Sequence, residues 1–390
     1  MQVSGTRMRQ PLVVATAGLA LIVLWSVATV HVNYKNRWTG LFCIGQYHPV
    51  PPPLRANSYV FPKSTGFDGQ FYRDIAHDPW NQRGFGQYTD DARLRYRRIL
   101  LPLLANVLAF GRDQWIDAVY ICLEWFSAFL GAYWVGRYAQ LQGRSAWWGL
   151  AYFLLPSTLI ALDRMLTDLP FTTLCVGFFY FAYRKNFPGM FVAAMLACLT
   201  REMGVILVGG YTAHLLWRRD FRRAIILCGA LIPFGVWYLV ESHFTSGVSL
   251  PYACCSYPGS SIINAMRTPF PYPLPAVIAH SVQAFDVLSL LGFVICSILV
   301  LRVASGQKGE QSGRIWVGTG FVLLAVMASC IPDSFNDAYD YGRQYSPIPV
   351  LLLFAAIAER NVILLAPVAL ITWRVAVQVL PQASAIVRSI

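Results

Sequence analysis

Charged side chains are scarce in this chain of 390 residues. Only 13% of its residues are charged and 56% are hydrophobic, whereas about 25% of the residues of a soluble domain are charged. So few charges cannot hydrate a protein surface, which excludes an ordinary soluble enzyme. The nine Cys form no CxxC pair and show no zinc-like spacing with His. Internal repeats, heptads and low-complexity tracts are absent as well, which argues against a repeat array or a coiled coil.

The charge that is present is mostly positive, with a formal net charge of +12. A basic protein can bind nucleic acid, but here the basic residues fall in short clusters between apolar runs. The positive-inside rule of membrane proteins explains that placement. We therefore expect membrane lipids, and no nucleic acid, among the partners.

Apolar segments long enough to cross a bilayer recur along the chain. The first, from Pro11 to Val32, follows Arg7 and Arg9 and is interpreted as a signal anchor. The pattern predicts an all-α polytopic membrane protein, with one integral membrane domain over 1–390 and about ten or eleven transmembrane helices. The other spans are predicted near 114–136, 145–162, 168–183, 187–200, 203–217, 223–243, 283–301, 314–331, 345–358 and 361–380.

The pair 187–200 and 203–217 has two interpretations, two tilted crossings or one broken re-entrant pair. Counting two crossings, with the N-terminus in the cytoplasm, places every short basic loop inside, as the positive-inside rule requires. The long segments 33–113 and 244–282 then lie outside the cytoplasmic (inner) membrane. These two extracytoplasmic loops contain Cys43, Cys254 and Cys255, so a disulfide from Cys43 to either of the others is an open alternative.

The first long loop contains the most informative stretch, from Gly66 to Pro79. Its apolar residues recur at helical spacing, which predicts a short amphipathic helix at the membrane surface, ended by Pro79. Asp68 lies at the start of this helix and has two interpretations. It either caps the helix or is a carboxylate at the membrane–water boundary that takes a proton from an acceptor hydroxyl.

This stretch carries a family resemblance. The run Phe67-Asp68-Gly69-Gln70-Phe71-Tyr72, with Ile75-Ala76 and Asp78-Pro79, resembles polytopic glycosyltransferases of the GT-C superfamily, chiefly bacterial members that form cell-surface glycopolymers and more distantly GPI mannosyltransferases. The segment Tyr96 to Ala105 is similar to the one that follows in those proteins. The resemblance covers roughly 66–105.

The resemblance implies an enzyme that transfers a sugar from a polyprenyl-phosphate donor to a glycan, lipid or protein acceptor, on the outer face and with inversion. It implies that Asp68, the acidic residue of the first external loop, is the general base. Some members use a divalent metal and others do not. The active site would then be extracytoplasmic.

A lipid-linked donor needs cations that bind its phosphate, and Arg presents a planar fork of donors for this purpose. Arg97 and Arg98 precede a short apolar helix at 99–110, whose N-terminal amides could add to the site. The alternative is that these arginines, with Arg93 and Arg95, only anchor the loop to anionic headgroups. Arg201 and Arg343 are further candidates for donor-phosphate binding.

Other polar residues are assigned to substrate binding. They are Gln70, Tyr72, Asp74, Asp168 and Glu202. Two of them have other interpretations: Asp168 precedes Leu169-Pro170 and is suited to cap a helix, and Glu202 is suited to form an interfacial ion pair with Arg201. Glu124 lies within a span and is expected to face the bundle.

No metal or other cofactor is assigned. Asp74, His77 and Asp78 have ligand-type side chains on one helix, but such groups on a short surface helix are more often hydrated. A transporter or flippase of lipid-linked sugars, a glycan polymerase or ligase, and a scaffold remain the alternatives. Transporters usually show repeats and polar groups at the midplane, whereas the polar residues here collect at the outer face.

Overall fold

The computed structural model describes residues 5–245, 256–268, 270–272, 275–305 and 313–389. The chain is 77% helical with almost no sheet, which confirms an all-α polytopic membrane protein. The helices in the described residues are α1 (Gly5–Asn33), α2 (Gly69–His77), α3 (Ala92–Arg97), α4 (Leu100–Leu108), α5 (Asp113–Leu141), α6 (Pro156–Leu162), α7 (Asp168–Tyr183), α8 (Phe187–Thr200), α9 (Gly204–Trp217), α10 (Phe221–Cys228), α11 (Ile232–Phe244), α12 (Ser260–Arg267), α13 (Ala276–Ser305), α14 (Gly313–Ala328), α15 (Ala338–Gln344), α16 (Pro347–Glu359), α17 (Ala366–Ala376) and α18 (Leu380–Ser389).

Five helical segments are long and apolar enough to cross a membrane. They are Arg9–Asn33, Asp113–Leu141, Phe221–Phe244, Ala276–Val303 and Val362–Ser389. Four shorter apolar helices accompany them, namely α8, α9, α14 and α16. A multi-pass membrane protein is thereby supported, whereas the number of crossings, the membrane and the side on which each turn lies stay predictions.

The predicted span at 145–162 is wrong as a single helix. The chain forms a 3-10 stretch, Ala146–Leu154, and then the separate helix α6. Leu155 between them is extended, with φ −68° and ψ 137°. The cause is Pro156, because a proline disfavours the α conformation in the residue before it.

The interrupted pair of short apolar segments forms two separate helices, α8 and α9, which pack against each other. The turn between them contains Arg201 and Glu202. The predicted inward position of Glu124 on α5 is confirmed, since its side chain is fully buried.

The first long loop folds into an ordered layer against one end of the bundle. It contains α2, α3 and α4 and two short parallel strands, β1 (Ile44–Gly45) and β2 (Val60–Phe61). The apolar side chains of this layer pack with Val30 of α1, Tyr120 of α5 and Trp237 of α11. The second loop is described only in part, and Cys254 and Cys255 lie outside the described residues, so the disulfide with Cys43 stays a prediction.

Helix α2 is present as predicted and ends before Pro79, but it does not lie on the surface of the protein. All nine of its residues are buried, including the polar ones. Gly69 explains how the helix fits so deeply, because a Cβ at this position would collide with the carbonyl oxygen of Arg164 in the turn between α6 and α7. The sequence pattern could not show that the layer encloses this helix on every side.

Candidate functional site

A cluster of ion pairs lies where the loop layer meets the ends of the bundle helices. Asp68 and Tyr72 come from α2 and its start, and Arg95 and Arg98 from the end of α3. The first residue of α7, the turn between α8 and α9, and α15 supply the remaining members, Asp168, Arg201, Glu202 and Arg343. Distant parts of the chain therefore meet at this place, which we call the arginine cluster.

Asp68 lies at the centre of the arginine cluster. Its Oδ1 accepts a hydrogen bond from Arg95 Nη2 at 2.9 Å, and its Oδ2 accepts one from Arg343 Nη1 at 2.8 Å. Asp68 occupies the N-cap position of α2, but its side chain makes no capping hydrogen bond. The interpretation of Asp68 as a helix cap is therefore wrong, because both carboxylate oxygens are used by arginines.

The two arginines also determine the protonation of Asp68. Burial alone would raise the pKa of its carboxyl group, but the charges of Arg343 and Arg95 outweigh burial and hold the pKa well below its usual range. The side chain is 17% exposed, so one edge of the carboxylate remains accessible. Asp68 is thus an ionised acceptor in this state, and its basicity is low as long as both arginines remain bound.

Helical spacing separates the arginines of α3. Arg95 and Arg98 are three residues apart and share one face. Arg98 pairs with Glu202 through two bonds, from Nε at 3.0 Å and from Nη2 at 2.7 Å. Arg97 lies on another face, where its Nε donates to Glu241 of α11 at 3.2 Å. The structure therefore places Arg98, but not Arg97, in the arginine cluster.

Tyr72 connects the two arginines of α3. Its hydroxyl oxygen accepts hydrogen bonds from Arg98 Nη1 at 2.8 Å and from Arg95 Nη1 at 3.3 Å. Burial alone would raise the pKa of Tyr72, but the charges of Arg98 and Arg95 more than offset it and lower the pKa. The fully buried ring thus holds both guanidinium groups in fixed positions.

Arg201 and Asp168 form a second buried pair, within hydrogen-bond contact of each other. Arg343 Nη1 lies 3.7 Å from Asp168 Oδ2, which connects this pair to Asp68. Asp168 is the first residue of α7, and its side chain bonds to Arg201. Asp168 therefore does not cap α7 with its side chain. Arg201 pairs with Asp168, and Glu202 pairs with Arg98 instead.

Phe67, the residue before Asp68, contacts two arginines through its ring. The guanidinium carbons of Arg164 and Arg343 lie 4.5 and 4.8 Å from the centre of its ring. Such cation–π contacts are worth about 0.5–2 kcal/mol each, depending on desolvation. The Phe67-Asp68 pair of the motif therefore binds Arg343 twice, through the ring and through the carboxylate.

Several buried polar atoms of the arginine cluster have no hydrogen-bond partner among the described residues. They are Asp168 Oδ2, Arg201 Nε and Arg343 Nε. Thr167 Oγ1 and Ser346 Oγ, which are close to Asp168 and Arg343 in the chain, are buried and unpaired as well. Most buried polar atoms of native proteins are hydrogen-bonded, so these unpaired atoms indicate a site that is completed by a polar ligand or by water.

The arginine cluster is close to neutral overall. Four arginines, Arg95, Arg98, Arg201 and Arg343, face five carboxylates, those of Asp68, Asp90, Asp168, Glu202 and Asp340. Apart from the unpaired Nε atoms of Arg201 and Arg343, the guanidinium groups are already bound, so an anionic ligand that enters competes for them with these carboxylates.

Gln70 and Asp74 lie elsewhere on α2. Gln70 is structural, since its Oε1 accepts from the Gly45 amide at 3.0 Å and its Nε2 donates to the Thr65 carbonyl at 3.0 Å. Asp74 is buried, and burial raises its pKa well above the usual value, with Arg73 opposing only in part. Neither side chain contacts the arginine cluster in the described residues.

The ligand-type residues of α2 bind other protein groups. His77 lies between two carboxylates of α5, with Nδ1 2.8 Å from Asp113 and Nε2 3.1 Å from Asp117. Asp78 accepts the backbone amides of Arg83 and Phe85. Within the described part of the chain, no group of three or more His, Cys, Asp or Glu side chains is placed to hold a metal ion.

Sequence reasoning missed two members of the site. It assigned Arg95 only to lipid anchoring, and it did not consider Asp90, which pairs with Arg95 at 2.7 Å. Asp340, which pairs with Arg343 at 2.9 Å, lies in an acidic group around Arg343 that is visible in the sequence. A signal for Arg95 was present, since it shares a helix face with Arg98. Comparisons with protein-family models, with curated proteins and with solved structures find no match for this chain.

Proposed function

We propose that this protein is a glycosyltransferase of the GT-C type, which moves a sugar from a polyprenyl-phosphate donor to a glycan, lipid or protein acceptor. The single observation that carries the proposal is the position of Asp68. It is a partly accessible carboxylate surrounded by arginines, at the end of a membrane helix bundle. Groups that can bind a phosphate and a group that can accept a proton thereby lie next to each other.

The arginines would bind the donor phosphate. Arg–phosphate pairs are charge-assisted and often bidentate, and the unpaired Nε atoms of Arg201 and Arg343 offer donors that no described side chain uses. Arg98 adds a third cation, held in place by Tyr72 and Glu202. Binding at this place would neutralise the charge that develops on the phosphate as it leaves.

Asp68 would act as the general base of an inverting displacement. It takes the proton of the acceptor hydroxyl while the acceptor oxygen attacks the anomeric carbon on the face opposite the phosphate. The bond between this carbon and the phosphate oxygen breaks, and polyprenyl phosphate leaves with the electron pair. General-base catalysis of this kind contributes about 10²–10⁴-fold in rate.

We further propose that the N-terminus lies in the cytoplasm and that the arginine cluster lies at the outer face of the cytoplasmic membrane. The distribution of basic residues among the short loops supports this orientation. Single cysteines introduced into a variant without native Cys, at Ser64 and at Arg219, give a direct test. A membrane-impermeant maleimide on intact cells should label the first position only, and labelling of the second alone would reverse the orientation.

The function is tested with proteoliposomes that contain a panel of polyprenyl-phosphate sugars. We expect release of polyprenyl phosphate from at least one donor when an acceptor extract is present. Binding of polyprenyl phosphate alone provides a test that does not depend on the sugar, and we expect it to weaken in Arg343→Gln. No binding of polyprenyl phosphate by the intact protein would contradict the proposal.

The same experiment distinguishes the main alternative, a transporter of lipid-linked sugars. A transporter moves the intact donor across the bilayer without breaking the glycosidic bond. Protection of the donor from an externally added hydrolase, with no polyprenyl phosphate released, would favour transport over transfer.

A further inference from the structure

A second candidate site lies at the opposite end of the bundle from the arginine cluster. It is a cavity of about 240 Å³ between the turn that joins α7 to α8 and the turn that joins α9 to α10. Helix α7 runs from Asp168, in the arginine cluster, to the cavity over 16 residues. At 1.5 Å per residue the two places are about 24 Å apart, so the cavity is not part of the proposed catalytic site.

The mouth of the cavity is basic. Lys185, Arg218 and Arg223 line it, and all three side chains are exposed. Among the described residues of the lining, Asp220 is the acidic one. Its carboxylate accepts the backbone amide of Arg223 at 3.1 Å, caps α10 and lies 3.5 Å from Arg223 Nη1. The described lining thus carries three cationic side chains and one carboxylate, which is paired with Arg223.

The base of the cavity combines apolar and polar side chains. Met190, Tyr211, His214 and Leu215 line it, and each is less than 9% exposed. Beside it, Trp217 and Phe221 expose 75% and 58% of their surface. Exposed aromatic residues next to a basic turn are typical of the level at which lipid headgroups lie.

We propose that this cavity binds the phosphate-bearing headgroup of an anionic membrane lipid. Basic pockets between membrane helices, on the side where basic loops collect, bind such headgroups. The volume is smaller than the roughly 300–1,000 Å³ of pockets that enclose a drug-sized ligand, which suits a headgroup rather than a whole nucleotide or sugar chain. The exposed apolar flank at Trp217 and Phe221 would lie along the acyl chains.

The proposal is independent of sugar transfer and is tested with the purified protein in nanodiscs. A variant with Lys185→Gln, Arg218→Gln and Arg223→Gln removes the three cations of the cavity. The matched control, Arg184→Gln with Arg219→Gln and Arg222→Gln, removes the same charge from the same two turns at exposed positions that do not line the cavity.

The readout is the retention of phosphatidylglycerol relative to phosphatidylcholine, measured by native mass spectrometry. One basic residue near a membrane surface changes lipid affinity by about fivefold. We therefore expect the cavity variant to lose at least about tenfold in preference for phosphatidylglycerol, and the control to stay within a factor of about three. The single variant Arg218→Gln, expected to lose about fivefold, provides the same test if the triple variant does not fold.

Three results would overturn the assignment. An equal loss in both triple variants would show that general surface charge, and not the cavity, attracts the lipid. An unchanged preference in the cavity variant would show that these side chains bind no headgroup. Binding of soluble glycerophosphate as tight as that of the lipid, and equally weakened in the cavity variant, would indicate a small free anion as the ligand.

Discussion

Replacing Asp68 by asparagine separates catalysis from donor binding. Asparagine has nearly the same shape, but it cannot accept a proton from a hydroxyl group. If Asp68 is the general base, kcat should fall by about 10²–10⁴-fold. The affinity for polyprenyl phosphate should stay the same or increase, because Arg95 and Arg343 lose a carboxylate that competes with the phosphate.

The structural cost of this substitution is limited. Asparagine keeps one side-chain oxygen, so it can accept from one of the two arginines. Arg95 and Arg343 also keep their bonds to Asp90 and Asp340. A hydrogen bond to a charged group is worth about 1.5–3 kcal/mol, so we expect a loss of about 2 kcal/mol of stability, from the one bond that is not replaced.

The assay is release of polyprenyl phosphate by protein in nanodiscs, together with the binding constant for polyprenyl phosphate and a thermal unfolding curve. Asp90→Asn is the matched control, because it removes the same charge from the same arginine, Arg95, but leaves Asp68 in place. We expect the control to lose less than about tenfold in kcat, since its carboxylate does not take part in general-base catalysis. Activity of Asp68→Asn within threefold of the original protein, in a folded sample, would refute Asp68 as the base.

Three further predictions concern neighbouring residues. Arg98→Gln should weaken polyprenyl-phosphate binding by about 10–150-fold, the effect of one charged hydrogen bond. Arg97→Gln is the control and should leave the binding constant unchanged. Equal effects of the two substitutions would place both arginines in the site. Asp74→Asn should raise the midpoint of thermal unfolding near pH 8 and have no effect near pH 4. Burial raises the pKa of Asp74 in the folded state. The contribution of Asp74 to stability is therefore full below the pKa of about 3.9 that it has in the unfolded chain, and it is lost as the pH rises through the pKa of the folded state. Gly69→Ala should lower the unfolding midpoint by the equivalent of about 1–3 kcal/mol, because its Cβ meets the Arg164 carbonyl; an unchanged midpoint would contradict the close approach.

The fold class and most helix positions follow from local pattern. The segment Phe187–Thr200 and its neighbour Gly204–Trp217 agree with the predicted boundaries to within a residue, because apolar runs in a membrane protein have few other ways to satisfy their backbone groups. The failure at Leu155 also has a local cause, Pro156, and was therefore within reach of the sequence.

The site could be predicted only in part. Asp68, Arg98 and Arg343 carried signals, namely a motif or a charge in apolar surroundings. Their pairing did not, because Asp68 and Arg343 are 275 positions apart and meet only through packing of the loop layer on the bundle. The burial of α2 on all sides has the same origin, since periodicity reports the polarity of a face and not what covers it.

The near-neutral charge of the arginine cluster leads to a prediction about pH. When no donor is bound, Arg343 and Arg95 keep the pKa of Asp68 low, so it is a weak base. A donor phosphate that takes over these guanidinium groups should raise the pKa of Asp68 and so strengthen it as a base in the complex.

Rate profiles can detect this exchange, because kcat/KM reports the pKa of the free enzyme and kcat that of the enzyme–substrate complex. We expect the acidic limb of kcat to lie at higher pH than that of kcat/KM. In Arg343→Gln one competing charge is missing from the free enzyme, so the two limbs should lie closer together. Limbs at the same pH in the original protein would show that the arginines stay on Asp68 during the reaction, and the carboxylate would then be a structural partner of the arginines and not the base.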